Sequence, residues 1–257
     1  RARESYKEIR KFLEGTWAED APVIPVSALK RVNVDALLAA IEKLIPTPER
    51  DLSKPPLMYV IRSFDVNRPG TRPDDLVGGV IGGSILAGKI KVGDVIEIRP
   101  GIQVKEGGKV RYEPLATEVT SLRFGKYEVS EARPGGLVAV GTKLDPSLTK
   151  ADNLAGNVAG DPDKMPEAVD ELTIEYHLFE TVVGAKETLR VEPLNRGELL
   201  LLAVGPALTM GDVTSVSKER AELRLRRPVV AWDRMRVAMS RRVGGRWRLI
   251  GWGIVKE

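Results

Sequence analysis

The sequence predicts a mainly β fold, in which two consecutive small β-barrels follow a short α/β segment. Three observations point to it. Residues 77–100 set short apolar runs, Val80, Ile81, Ile85 and Leu86, then Ile90, Val92, Val95, Ile96 and Ile98, between the turn formers Gly88, Gly93 and Asp94. That spacing suits strands joined by tight turns. A second series of short strand patterns at close intervals follows Pro166, as in a second all-β barrel. Stripes of helical period are confined to the first 50 residues.

In residues 1–50, Tyr6, Ile9, Phe12 and Leu13 recur at helical spacing and Gly15 ends the run. A second stripe, Val34, Leu37, Leu38, Ile41, Leu44 and Ile45, follows an expected N-cap at Asn33 and stops at Pro46 and Pro48. Between them P-V-I-P-V-S-A-L alternates like a short strand, with Ser27 at its C-terminal end. Helix, strand, loop and helix form a piece of an α/β unit, whose ligands bind at the carboxyl ends of its strands. No G-x-x-x-x-G-K-S/T phosphate loop is present, so this segment is expected to be the end of a domain that begins upstream.

Pro46, Pro48, Pro55 and Pro56 mark a stiff linker and the first boundary. L-M-Y-V-I-R-S-F reads as a strand, and residues 65–75 as a long loop of mixed charge. That loop is either a solvated connection or a docking surface presenting Arg68 and Arg72 beside Pro69 and Gly70. The pairs Gly78-Gly79 and Gly82-Gly83 allow a bulge, a barrel corner or close approach by a backbone or ligand. Further strands are expected at 97–100, 109–112, 115–122 and 137–141, while 145–154 is too polar for a central strand. Asp161-Pro162-Asp163 with Pro166 marks the second boundary, followed by strands at 172–179, 187–191, 198–204, 213–218 and 221–225. Trp232, Trp247 and Trp252 are expected in the core or on a sheet face rather than as base-stacking platforms.

The chain has no cysteine and one histidine, His177, which leaves little for thiolate metal sites or a histidine base. No apolar run approaches the roughly 20 residues of a membrane helix, and a cytoplasmic location with no membrane partner is the expectation. The net charge of +4 is unevenly placed: residues 220–248 carry ten arginines and two acids, so the remainder is net negative. Such arginines suit phosphate contacts, or equally a solvated sheet in a heat-stable protein. Arg226 and Arg227 precede Pro228, and Arg241 and Arg242 precede Gly244-Gly245. Both pairs are expected at exposed turns, as RNA phosphate contacts.

V-I-R-S-F-D-V-N-R-P-G-T (60–71), G-G-V-I-G-G-S-I (78–85), V-G-T-K-L-D-P-S-L-T-K-A-D-N-L (140–154), V-V-G-A-K-E (182–187) and G-R-W-R-L-I-G-W-G (245–253) occur in this order. With these motifs the whole chain resembles the C-terminal part of the archaeal translation initiation factor 2 gamma subunit family, relatives of elongation factor Tu. The resemblance implies the end of a P-loop GTPase domain over 1–52, a second-domain β-barrel over 53–162 and a third-domain β-barrel over 163–257. It matches Ser27, Ala28 and Leu29 to the last guanine-recognition motif, and makes Gly82 and Gly83 part of a wall for the tRNA 3' end. It places the phosphate loop, the magnesium-ordered switches, the N-K-x-D motif and a zinc knuckle upstream of Arg1. GTP, magnesium and zinc are thus implied for the complete factor and no cofactor for this chain, which is expected to be inactive alone.

The family further implies an alpha subunit held by the second domain. The expected contact is the loop at 65–75, with Arg68 and Arg72 as polar anchors, Pro69-Gly70 fixing the turn and residues 106–109 as a rim, because a preformed loop loses little entropy on docking. It implies a beta subunit on the GTPase domain, initiator methionyl-tRNA and the small ribosomal subunit. An RNA- and protein-binding part of a GTP-dependent tRNA carrier therefore competes with a self-sufficient GTP hydrolase and with a scaffold that binds no RNA.

Overall fold

The computed structural model describes residues 1–184 and 189–256. Residues 1–49 form one compact unit and 50–257 another. In the first, α1 (Ala2–Leu13) and α2 (Val34–Leu44) follow the two apolar stripes, and neither helix buries a residue. The expected strand before Ser27 does not form; only a single bridge joins Ser27 to Val32. A lone alternating segment has no neighbour in residues 1–49 to complete a ladder. Asn33 does stand at the N-cap of α2, but its backbone is left-handed and its amide donates to Pro25 O at 2.9 Å instead of capping.

The second unit opens with β1 (Leu57–Phe64), β2 (Val80–Ala87), β3 (Ile90–Lys91), β4 (Val95–Glu106), β5 (Lys109–Phe124), β6 (Tyr127–Val129), β7 (Glu131–Ala132), β8 (Val138–Thr142), α3 (Pro146–Thr149) and β9 (Val158–Gly160). The sheet order β4-β9-β1-β2-β8-β5 returns to β4, closing a barrel of six strands with β6 appended to β5. Its core holds Met58, Val60, Ile81, Ile96, Ile98, Val119, Leu122 and Val140. The strand patterns at 97–100, 109–112 and 115–122 belong to two long strands of one hairpin, β4 and β5. Pro100 and Pro114 did not interrupt them because the pairing jumps from Ile98 to Ile102, absorbing the prolines in an irregular stretch.

A second closed barrel follows: β10 (Ala168–Leu178), β11 (Leu199–Val204), β12 (Ala207–Val216), β13 (Arg220–Val230), β14 (Arg236–Val243) and β15 (Arg246–Lys256), in the order β10-β13-β12-β11-β14-β15. Leu200, Leu202, Leu223, Val237, Met239 and Ile250 fill it. The expected strand at 187–191 falls partly outside the described residues, and of the rest only Arg190 pairs, as a bridge to Thr181. Strands β14 and β15 escaped the sequence reading. A bulge between Met239 and Ser240 shifts their register, so the apolar alternation breaks midway.

The two barrels share a seam. Tyr59 stacks on Trp232 with ring centroids 6.2 Å apart, Val158, Met165 and Val230 form a small buried cluster, and Arg227 Nη2 donates to Ala155 O at 3.3 Å. Burial raises the Tyr59 phenol above its ordinary pKa. Arg99, only 8% exposed, ties β4 to the connecting segment. Its Nε meets Glu97, Nη1 donates to Met165 O and to Glu167, both at 2.9 Å, and Nη2 donates to Pro162 O at 3.1 Å.

Candidate functional site

On the outer face of the first barrel, the ladders pair Arg62 with Gly82, Gly82 with Ala139 and Ala139 with Arg123. Side chains in such a cross-strand row share one face of the sheet. Two arginines therefore stand on either side of two small residues, three strand spacings or about 14 Å apart. The next row on the same face is Phe64, Val80, Gly141 and Ser121. The result is a trough with two recesses, both lined by Phe64, Arg123 and Ala139. One, of about 250 Å³, also contains Ile61, Gly82 and Leu137. The other, of about 470 Å³, runs on to Val66, Val77 and Thr120.

The paired glycines of β2 are not equivalent. A Cβ on Gly83 would lie 1.7 Å from Tyr59 O, so this glycine allows β1 and β2 to approach each other. A Cβ on Gly82 would meet nothing closer than 3.6 Å, its nearest atoms belonging to Arg62, Phe64 and Val138. Gly82 is thus open floor, and its missing side chain leaves depth in the trough.

Both arginines are tethered. Arg123 Nη2 donates to Glu128 at 3.1 Å. Arg62 Nε donates to both Asp152 oxygens at 2.8 and 3.1 Å, and the Ser63 amide donates to Asp152 at 2.9 Å. The Arg62 bond, followed by the Ser63 amide, holds the Asp152 carboxyl below the usual carboxylate range, and Asp152 raises the Arg62 guanidinium in return. Nothing in the sequence had singled out Asp152, because the pair is separated by 90 positions.

The loop at 65–75 leaves this same face. Asn67 fixes it from both sides, donating to Asp65 and to Val77 O and accepting from the Val77 amide at 2.9 Å. Gly70 takes φ +88° in a turn closed by Thr71 N to Arg68 O at 3.1 Å. Arg68, Pro69, Gly70 and Arg72 are exposed, and neither arginine makes an ion pair among the described residues.

Ser27, Ala28 and Leu29 occupy a tight loop ahead of α2. Ser27 Oγ accepts from the Lys30 amide at 3.3 Å and Leu29 is 90% exposed. The amides of Ala28 and Leu29 donate to nothing among the described residues. The same residues offer no cradle for phosphates or a metal. Among the described residues, no three His, Cys, Asp or Glu side chains gather as a cation site.

Arg226 and Arg227 do not lie at a turn, and Arg241 and Arg242 lie in a strand just ahead of one. Arg226 and Arg227 sit within β13, which runs on through Pro228 to Val230 because the β10 ladder skips the residues between Arg224 and Val229. Arg226 pairs with Asp212 at 3.2 Å, and the Arg227 Nε is buried with no hydrogen-bond partner. Arg241 lies within β14, its side chain 18% exposed, where it meets Glu198 and donates to Glu192 O and Pro193 O at 2.9 and 3.1 Å. Arg242 alone of the four is exposed and outside every ion pair among the described residues. Accordingly, Arg241→Gln should cost about 2 kcal/mol of stability by leaving Glu198 unpaired. Arg242→Gln should melt like the parent while lowering the slope of log RNA affinity against log salt by about one. Urea unfolding and filter binding across a salt series check the two halves. Trp247 and Trp252 lie on the sheet face, 38% and 40% exposed, while Trp232 packs into the seam.

The two barrels match known families separately. Residues 78–158 match the family described as Elongation factor Tu domain 2, and residues 170–255 match Initiation factor eIF2 gamma, C terminal. Translation initiation factor 2 subunit gamma of Aeropyrum pernix is 65% identical over 257 residues, covering 100% of this chain and 62% of the relative. The subunit from Thermococcus kodakarensis is 61% identical over 254 residues, covering 99% of this chain and 62% of its own length. The chain thus spans about three fifths of the curated relatives it matches. Among solved structures, elongation factor SelB from Methanococcus maripaludis superposes with a TM-score of 0.73 at 19% identity, covering 99% of this chain and 56% of that one. Bacterial selenocysteine-specific elongation factor EF-Sec superposes with 0.72 at 20% identity, covering 98% and 37%. These two share the fold. With identity at this level along its whole length, and two barrels matching the corresponding families in order, the chain belongs to the archaeal translation initiation factor 2 gamma subunit family, of which it represents the C-terminal part.

Proposed function

We propose that this chain is the part of a translation initiation factor that holds initiator methionyl-tRNA for GTP-dependent delivery to the small ribosomal subunit, with the trough of the first barrel receiving the tRNA 3' end. The observation that carries the reading is the row Arg62, Gly82, Ala139 and Arg123. Small residues between two guanidiniums leave room for a base or ribose, and the arginines stand where a phosphate chain would run. In this reading residues 1–52 end a GTPase domain, 53–162 form the second domain and 163–257 the third.

Ser27, Ala28 and Leu29 would meet the guanine of GTP, while phosphates, magnesium and zinc would be held by the remainder of the complete factor. The loop bearing Arg68 and Arg72 would hold the alpha subunit, its shape set in advance by Asn67 so that docking orders little. The beta subunit would sit on the GTPase domain. No helix among the described residues is long and apolar enough to cross a membrane, and a cytoplasmic setting accords with this role.

Filter binding of methionylated and uncharged initiator tRNA to the 257-residue chain tests the reading. The expected result is salt-sensitive binding of both, with the methionylated form retained more tightly. Equal, undetectable retention at low salt would assign the barrels to a scaffold.

A further inference from the structure

We propose that Asp152 is a positioning residue for the trough: it acts through Arg62, holding that guanidinium at the rim in the orientation that meets an RNA phosphate. This rests on the reading of the trough as a 3'-end site and adds to it a residue outside the trough lining.

Strand β1 pairs with β9 only over Leu57, Met58 and Tyr59. Beyond them its edge is covered by the end of α3 and the turn that follows it, not by a strand. Thr149 Oγ1 donates to Phe64 O at 3.2 Å, the Leu154 amide donates to Ser63 Oγ at 2.9 Å, and the Gly156 amide donates to Val60 O at 2.9 Å. To deliver Asp152 to this edge, the chain places Ala151 at φ +55° and Asp152 at φ +59°, two consecutive non-glycine residues in the left-handed region. Such backbone is strained, and it brings Asp152 to the Ser63 amide, which needs only an acceptor that a neutral Asn would also supply. The ion pair, with side chains 65% and 39% exposed, returns little stability of its own, so the charge of Asp152 beside Arg62 points to a role in orienting that guanidinium.

The geometry of the pair supplies that role. Asp152 accepts only from the Nε of Arg62, and neither Nη group makes a hydrogen bond among the described residues. A guanidinium held by Nε keeps a rigid fork of four N–H donors free for a ligand. Arg123 is held by Glu128 across the trough, so each rim carries a tethered arginine. An untethered Arg62 would keep its charge and its attraction for RNA at a distance, but would lose rotamer entropy on each binding event.

The test is a mutant cycle of Arg62→Gln, Asp152→Asn and both together, measured by filter binding of methionylated initiator tRNA over a range of salt. Arg62→Gln should weaken binding about tenfold, the size of one charge-assisted hydrogen bond, and reduce the salt slope by about one. Asp152→Asn should weaken binding about fivefold and leave the slope unchanged, since no phosphate-facing charge is removed. The double variant should bind like Arg62→Gln alone. Asp152→Asn binding like the parent, or a loss that adds in full to that of Arg62→Gln, would overturn the proposal.

A second readout needs no RNA. The Arg62 Nε–H resonance should be sharp and slow to exchange in the parent chain, and averaged in Asp152→Asn. If the parent chain binds no tRNA, the 3'-end reading fails, and this resonance alone then decides the positioning claim: an Arg62 Nε–H already averaged in the parent overturns it.

Discussion

Gly83→Ala should destabilise the second unit by about 3 kcal/mol or more, because the added methyl falls onto backbone, which cannot rotate away as a side chain tip can. The Cβ position is 1.7 Å from Tyr59 O, so β1 and β2 must separate where Val60 and Ile81 are fully buried. Its neighbour one residue away should behave in the opposite manner. Gly82→Ala meets atoms no closer than 3.6 Å, and removing a glycine from a strand limits the unfolded chain, so the melting temperature should hold or rise slightly. The same methyl raises the trough floor, and RNA affinity should fall about tenfold as a base or ribose loses its seat. Thermal melts beside filter binding of both variants check the pair. Equal stability in the two would contradict the account of β2, and full RNA binding by a folded Gly82→Ala would remove the trough from the binding surface.

Arg99→Met should cost about 3 kcal/mol, since truncating one member of a buried charged network strands the others. Three carbonyl groups, from Pro162, Met165 and Pro166, would lose a donor, and Glu97, 19% exposed, would lose its cation. Those carbonyls belong to the segment between the barrels, so the loss also loosens the seam. Urea unfolding of a background with Trp17, Trp247 and Trp252 replaced by Phe, followed by the fluorescence of Trp232 against Tyr59 and separately by far-ultraviolet circular dichroism, should give coincident transitions with Arg99 intact. In Arg99→Met the fluorescence transition should move to lower urea ahead of the other. Coincident, unshifted transitions would show that the network is dispensable.

Much of the fold was legible because its cause is local. The alternation in β1, β2, β10 and β11 and the helical stripes in residues 1–50 were each written in runs of neighbouring residues. Gly88 and Gly93 do take positive φ at the turns assigned to them. What was missed depends on pairing between distant segments or on a bulge that breaks the local pattern. Residues 22–29 alternate like a strand yet find no ladder, whereas β14 and β15 form a long hairpin despite broken alternation. At the candidate site the glycine pairs were visible, but not which member is open. That difference is set by Tyr59, more than twenty positions away, and by the bulge between Val60 and Arg62. Arginines could be counted from sequence, but not sorted. Arg226 and Arg241 are occupied by Asp212 and Glu198, which only the barrel brings alongside.

The matched arginines of β13 have an effect beyond their own strand. Arg220, Arg224 and Arg226 face Glu175, Glu171 and Asp212, so at more than a few ångströms that wall of the second barrel presents almost no field. Arg242 and Arg246, beside the Gly244-Gly245 turn of the β14–β15 hairpin, have no such cancellation among the described residues. A nearly neutral wall and a positive tip give the barrel an electric moment. The expected result is that a polyanion diffusing nearby turns in that field before any contact forms and meets the hairpin first, so Arg242→Gln with Arg246→Gln should slow association at low salt more than dissociation.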